Sequence, residues 1–129
     1  EQLSQQIDPQ EDSQLDYYPL PKAGERFPCN DPHLAPRLLP VPENRAEFLH
    51  GILQGIARIE ATGYALLQRH GAPKLKYVVS TGGGSRNAVF SSMRQRILGV
   101  PVSRSVYEEA AYGSALLAAQ KTLGDRHDN

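Results

Sequence analysis

From Phe48 onward, apolar residues recur at steps of three and four: Phe48, Leu49, Ile52, Leu53, Ile56, Ile59, Leu66 and Leu67. That spacing predicts one long amphipathic helix over 43–70. Pro42 and Glu43 suit its first turn, and Gly71 followed by Pro73 suits its stop. Gly51, Gly55 and Gly63 each weaken such a helix by about 1 kcal/mol. Gly51 and Gly55, four apart, would let another element pack closely. The apolar runs then shorten. Lys76–Ser80 reads as a buried strand, and Val100–Ser103 as a second. Between them Val89, Phe90, Met93, Ile97 and Leu98 mark the apolar face of a helix over 87–98, stopped by Gly99. Tyr107, Ala110, Ala111, Leu116, Leu117 and Ala119 predict a third helix over 106–122.

The resulting order is helix–strand–helix–strand–helix, an α/β pattern. Strands separated by a helix pair in parallel through a right-handed crossover. Two parallel strands make a poor sheet alone, because such strands are normally flanked by others and covered on both faces. The expectation is a piece of a larger α/β domain, or one completed by a partner. Residues 1–42 differ in kind: they hold eight of the ten prolines. Proline removes backbone donors and disfavours helix in the residue before it, so this stretch is expected to be extended or irregular, and mobile over 1–15. Yet Leu15, Tyr17, Tyr18, Leu20, Phe27, Leu34, Leu38 and Leu39 are too apolar for a free tail. The segment is expected to wrap a folded body made by 43–129.

At 129 residues the chain is at most one small domain. Fourteen acids balance fourteen bases, which argues against a general nucleic-acid or anionic-membrane binder. The balance is uneven: seven acids face two bases in 1–31, and twelve bases face seven acids in 32–129. The bases are dispersed, as on a solvated surface. Cys29 is the sole cysteine, so no internal disulfide forms, which suits a reducing cytoplasm. No apolar run approaches a membrane span, and no signal peptide opens the chain. The chain starts with Glu1 and has one methionine, Met93, which suggests a fragment or a processed chain.

The most informative stretch is S-T-G-G-G-S-R-N, residues 80–87. A strand running into glycines that open a helix leaves amides bare, and the helix N-terminus adds free N–H groups and partial positive charge. A nucleotide can lie against such a turn; so can nothing, if the glycines only permit tight packing. The dinucleotide pattern G-x-G-x-x-G fails because Asn87 stands where the last glycine would be, and no acid closes the second strand. A Walker A lysine is absent too. Asn87 suits two roles equally: an amide facing an adenine edge, or the cap of the following helix. Small residues at Ala110-Ala111-Tyr112-Gly113-Ser114-Ala115 read mainly as close helix packing.

Three blocks, T-G-G-G-S-R-N, M-R-Q-R-I-L-G-V-P-V and E-E-A-A-Y-G-S-A-L-L-A-A, together resemble the C-terminal domain of the FGGY carbohydrate kinases in order and spacing. The resemblance runs over 43–121. It implies a partial ribonuclease-H-like domain of the actin-like ATPase superfamily. The stretch from Asp16 to Pro28 also resembles the subgroup that includes D-ribulose kinases and xylulokinase-like proteins. By this resemblance Gly82, Gly83 and Gly84 approach the adenosine and α-phosphate of ATP, Asn87 faces adenine, and Ser85 and Arg86 border the base. Mg2+ would be held through the phosphates and the family's first domain. That domain's Asp-x-Gly-Thr loop, sugar pocket and catalytic aspartate have no counterpart here, so no catalytic residue is assigned.

Other candidates are weaker. Cys29 and His33 lack further ligands for zinc. His50 and His70 read as surface or helix-end residues. Glu108 and Glu109 suit a helix N-terminus better than catalysis. Arg94 and Arg96 are expected on the exposed side of the second helix, with only weak reason to contact phosphate. The leading reading is the adenosine-binding part of an ATP-dependent pentulose kinase, inactive alone, that meets its sugar only with the first domain. The alternatives are a non-catalytic relative used in assembly, and another actin-like ATPase or sugar-binding regulator. Self-association stays open.

Overall fold

A computed structural model describes residues 3–105. The helix expected over 106–122 lies outside them. Helix α1 spans Arg45–Arg69, β1 spans Val78–Ser80, α2 spans Ala88–Leu98 and β2 spans Val102–Arg104. The two strands pair in parallel, with Val78 opposite Val102 and Ser80 opposite Arg104. This is the crossover that the helix between them requires.

The element ends differ from the sequence expectation for local reasons. Helix α1 begins after Asn44, not at Glu43, because the Asn44 side-chain oxygen accepts from Ala46 N at 2.8 Å and Glu47 N at 3.4 Å. Gly71, at φ +103°, follows its end. Strand β2 starts at Val102 rather than Val100. Pro101 has no N–H to give a ladder; its carbonyl instead accepts from Val78 N at 2.9 Å. Gly99 ends α2 in the left-handed region, at φ +72°.

The large apolar side chains of α1 are not what is most buried. Ile56 and Leu67 are exposed, whereas Gly51, Gln54, Gly55, Ala57 and Gly63 are buried. The reason is the segment ahead of α1, which lies across it as a strap. A Cβ added at Gly51 would stand 2.9 Å from the Tyr17 ring, and one at Gly55 would stand 2.7 Å from the Tyr17 carbonyl oxygen and 2.8 Å from Pro19 Cδ. Phe27 meets Gly63 in the same way. The Tyr17 ring also packs edge-on against Phe48, with centroids 5.8 Å apart. Its hydroxyl donates to the Pro40 carbonyl. The strap doubles back on itself through antiparallel bridges at Tyr18–Arg37 and Glu25–Asp31.

Polar bonds fix the strap's register. Gln54 is fully buried, and its side-chain amide mimics a strand partner: Oε1 accepts from Ser13 N at 2.7 Å and Nε2 donates to Ser13 O at 3.1 Å. His50 Nε2 lies 3.0 Å from the Glu11 carbonyl oxygen. The expectation of an exposed Arg96 is corrected here. Its guanidinium turns back from α2 to the strap, donating to Pro9 O at 2.8 Å and to Asp12 Oδ1 at 2.7 Å. That hydrogen bond and charge hold the Asp12 carboxyl below its ordinary value of 3.8. Helices α1 and α2 pack together, with Met93 and Ala57 fully buried.

Two outcomes follow from the strap's fit. Gly55→Ala gains about 1 kcal/mol of helix propensity. It must also push apart a backbone carbonyl and a proline ring, an overpacking cost of about 1–3 kcal/mol. Urea unfolding is expected to show net destabilisation. The adjacent tyrosines should part company. Tyr17→Phe loses its hydrogen bond to Pro40, about 1 kcal/mol. Tyr18→Phe removes a buried hydroxyl that has no hydrogen-bond partner among the described residues, and should be neutral or stabilising in the same melts.

Candidate functional site

Strand β1 ends at Ser80, and the chain then turns through Thr81 and Gly82 into a single 3-10 turn, Gly83–Arg86, which leads into α2. Gly82 has φ +88° and ψ −173°, a conformation essentially restricted to glycine. Ser85 closes the turn: its N–H donates to Gly82 O at 3.2 Å and its hydroxyl to the same oxygen at 2.6 Å. Asn87 N donates to Gly84 O at 3.3 Å. Ser85 is therefore buried and faces the turn's own backbone, while Arg86 is exposed.

Gly83 and Gly84 have no such backbone requirement, since neither has a positive φ. Nor are they forced by crowding: a Cβ at Gly82, Gly83 or Gly84 would meet nothing within 4 Å. This contrasts with Gly51, Gly55 and Gly63, where the strap fills the space. Among the described residues, the N–H groups of Gly82, Gly83 and Gly84 have no acceptor. The same holds for Ala88 and Val89 in the first turn of α2. Consecutive bare amides at a helix N-terminus form a concave donor surface of partial positive charge, suited to an anionic or acceptor-rich ligand.

Asn87 caps α2, with its Oδ1 accepting from Phe90 N at 3.1 Å. Capping uses one lone pair of the oxygen. The side-chain NH2 donates to no described residue, so the cap leaves the amide's donors available.

The second correction concerns Arg94. Expected on the surface, it is 8% exposed and locked between elements. Its Nε donates to Glu60 Oε2 at 2.8 Å, Nη2 to Glu60 Oε1 at 2.7 Å, and Nη1 to Ser80 Oγ at 2.6 Å. The guanidinium also lies 5.6 Å from the Phe90 ring centroid. The Glu60 hydrogen bonds raise its proton affinity above the ordinary arginine value. Sequence reasoning missed this cluster because Glu60 lies 34 residues away and on another helix. An acid at that position on α1 carries no signal of its own.

Elsewhere, a hollow of about 500 Å³ along Lys22–Pro32 and one of about 200 Å³ between Phe27 and Tyr64 include no residue of the glycine turn. Among the described residues no three His, Cys, Asp or Glu side chains are grouped to hold a metal. No described helix is long and apolar enough to cross a membrane.

A strand, a bare glycine turn and a capped helix leave several ligand classes open, and the comparison with known families narrows them. The model for the C-terminal domain of the FGGY family of carbohydrate kinases matches residues 1–121. The chain belongs to the FGGY family of carbohydrate kinases. The match takes in the proline-rich strap of this FGGY chain as well as its glycine turn. A kinase of this family implies ATP use, usually with Mg2+, and a sugar as acceptor. The α/β order and parallel pairing of the chain agree with such a domain.

The two kinds of glycine in the turn predict different stabilities. Gly82→Ala is expected to cost about 1–3 kcal/mol, from the strained backbone alone. Gly83→Ala and Gly84→Ala should stay within about 0.5 kcal/mol of wild type. Thermal melts of the three variants check this.

Proposed function

We propose that this chain forms the adenosine side of the ATP site in a pentulose kinase of the D-ribulose type, with the general base and sugar pocket contributed by residues outside these 129. The observation that carries the reading is the open space at Gly83 and Gly84, where neither backbone conformation nor neighbouring atoms require glycine. A ligand that comes close to the main chain supplies the missing reason. The bare amides of Gly82–Gly84 and the first turn of α2 match the acceptor-rich ribose and phosphate end of a nucleotide. The Asn87 NH2 matches a ring nitrogen of adenine, while its oxygen holds the helix. Ser85 braces the turn, and Arg86 borders it.

The chain's contribution is binding and orientation. ATP supplies the phosphoryl group, and Mg2+, held through the phosphates, offsets their charge. In such transfers positioning and charge stabilisation provide most of the catalysis. Six residues, Gly82 to Asn87, therefore supply one wall of a site. The sugar subgroup assignment rests on the resemblance of Asp16–Pro28, not on the turn.

A second reading is a non-catalytic relative that assembles with another chain. It draws on Val79 of β1 and on Tyr77 just before the strand, both exposed. Nucleotide binding separates the two readings. Asn87→Asp keeps an oxygen to cap α2 but replaces the NH2 donor with charge; Asn87→Ala removes both functions. We expect Asn87→Asp to melt like wild type while its ATP affinity, measured by calorimetry, falls about tenfold or more. Equal ATP affinity in wild type and both variants would remove Asn87 from the site. Absence of any ATP binding by the intact protein favours the assembly reading.

A further inference from the structure

Arg94 sits two helical turns beyond the Asn87 cap, and its side chain reaches back along α2 toward the strand that leads into the glycine turn. There it meets Ser80, the last residue of β1. The Ser80 carbonyl is already held by Ser105 N at 2.9 Å, so backbone and side chain of this residue are fixed from opposite neighbours. The other side of the guanidinium is clamped by both carboxylate oxygens of Glu60. The turn thus starts from a residue tied to α2 and ends in α2 itself, and α1 anchors the tie.

A buried ion pair is weak evidence of a stabilising device, because desolvation offsets much of the attraction. What such a pair does supply is direction. Arginine presents donors in a rigid planar fork, and here three of them are assigned: two to one carboxylate and one to one hydroxyl. Lysine, a point charge, would keep the attraction to Glu60 and lose the fork. Ser80 Oγ gains nothing from this bond that water would not offer, apart from a fixed orientation two residues before Gly82.

We propose that Glu60, Arg94 and Ser80 form a brace that fixes how the chain leaves β1, making Arg94 and Ser80 positioning residues for the nucleotide turn; this rests on the nucleotide reading above. The brace touches no ligand. It acts by holding the Gly82–Gly84 amides in the arrangement that the ligand meets, so that ordering the turn is not left to the moment of binding.

The test uses the intact protein, with ADP as the probe. Ser80→Ala removes the hydroxyl, Ser80→Thr restores it, and Arg94→Lys keeps the charge without the fork. Three quantities are measured: ADP affinity by calorimetry, melting midpoint, and ligand-free hydrogen exchange of the Ser85 and Asn87 amides, which close the turn. The expected result is a threefold to tenfold loss of ADP affinity in Ser80→Ala, less than a full charge-assisted hydrogen bond because the brace acts through the turn and touches no ligand. Both amides should exchange faster, the melting midpoint should fall because a buried Arg94 N–H loses its acceptor, and Ser80→Thr should restore all three. Arg94→Lys should lose at least as much affinity. Wild-type affinity and exchange in Ser80→Ala would overturn the proposal. So would a lowered melting midpoint with unchanged affinity, which marks a merely structural bond. If wild type itself binds no ADP, the nucleotide reading fails, and exchange alone then decides the brace: faster exchange in Ser80→Ala upholds it and unchanged exchange refutes it.

Discussion

The approach of the Tyr17 main chain to Gly55 sets where the rest of the described structure lies. No side chain fits between them, so the strap and α1 meet backbone to backbone. That contact fixes the height of the strap along the helix. Gln54, one residue earlier, then finds Ser13 within reach of both ends of its amide. Four residues before it, His50 meets Glu11. The strap residues just upstream of Ser13 are thereby set in front of Arg96 on α2. A steric allowance on one helix thus reaches the second helix through the hydrogen bonds of Gln54, His50 and Arg96 to the strap. Large buried apolar side chains have a minor part in this; Met93 is the one fully buried side chain of that kind among the described residues.

Glycine carries opposite meanings along this chain. At 51, 55 and 63 it makes room for other residues of the same molecule, and the room is filled. At 82 it permits a main-chain conformation that side chains disfavour. At 83 and 84 it does neither, and its want of a side chain faces outward. Letters alone do not separate these cases. The family match over 1–121 places both kinds of glycine within one carbohydrate kinase domain, and only the proposed nucleotide reading gives the outward pair a reason.

Much of the architecture was legible in the sequence. The three- and four-residue spacing placed α1 over 43–70 against an observed 45–69, and the short apolar runs placed both strands. Their parallel pairing followed from the helix between them. Local chemistry moved the ends: Asn44 caps α1 and leaves Glu43 outside it, and Pro101 delays β2. The charged positions were misread. Arg94 and Arg96 look like solvent residues on a helical wheel, but each is satisfied by groups remote in sequence, Glu60 in one case and the strap in the other. Periodicity reports hydrophobic faces; it does not report which cation finds a carboxylate across the fold. Asn87 presented two roles of equal chemical merit. The cap is now assigned to its oxygen, and the nitrogen is what the adenine reading requires.

The strap's hairpin carries the lone thiol of the chain, Cys29, and leaves it exposed. A single sulfur in that place accepts one thiol-directed fluorophore or spin label without competing sites. Because the hairpin grips α1 through Phe27 at Gly63, a reporter two residues away would register detachment of the strap separately from melting of the helices. The protein thus comes with an addressable position on the one segment whose seating aligns everything behind it.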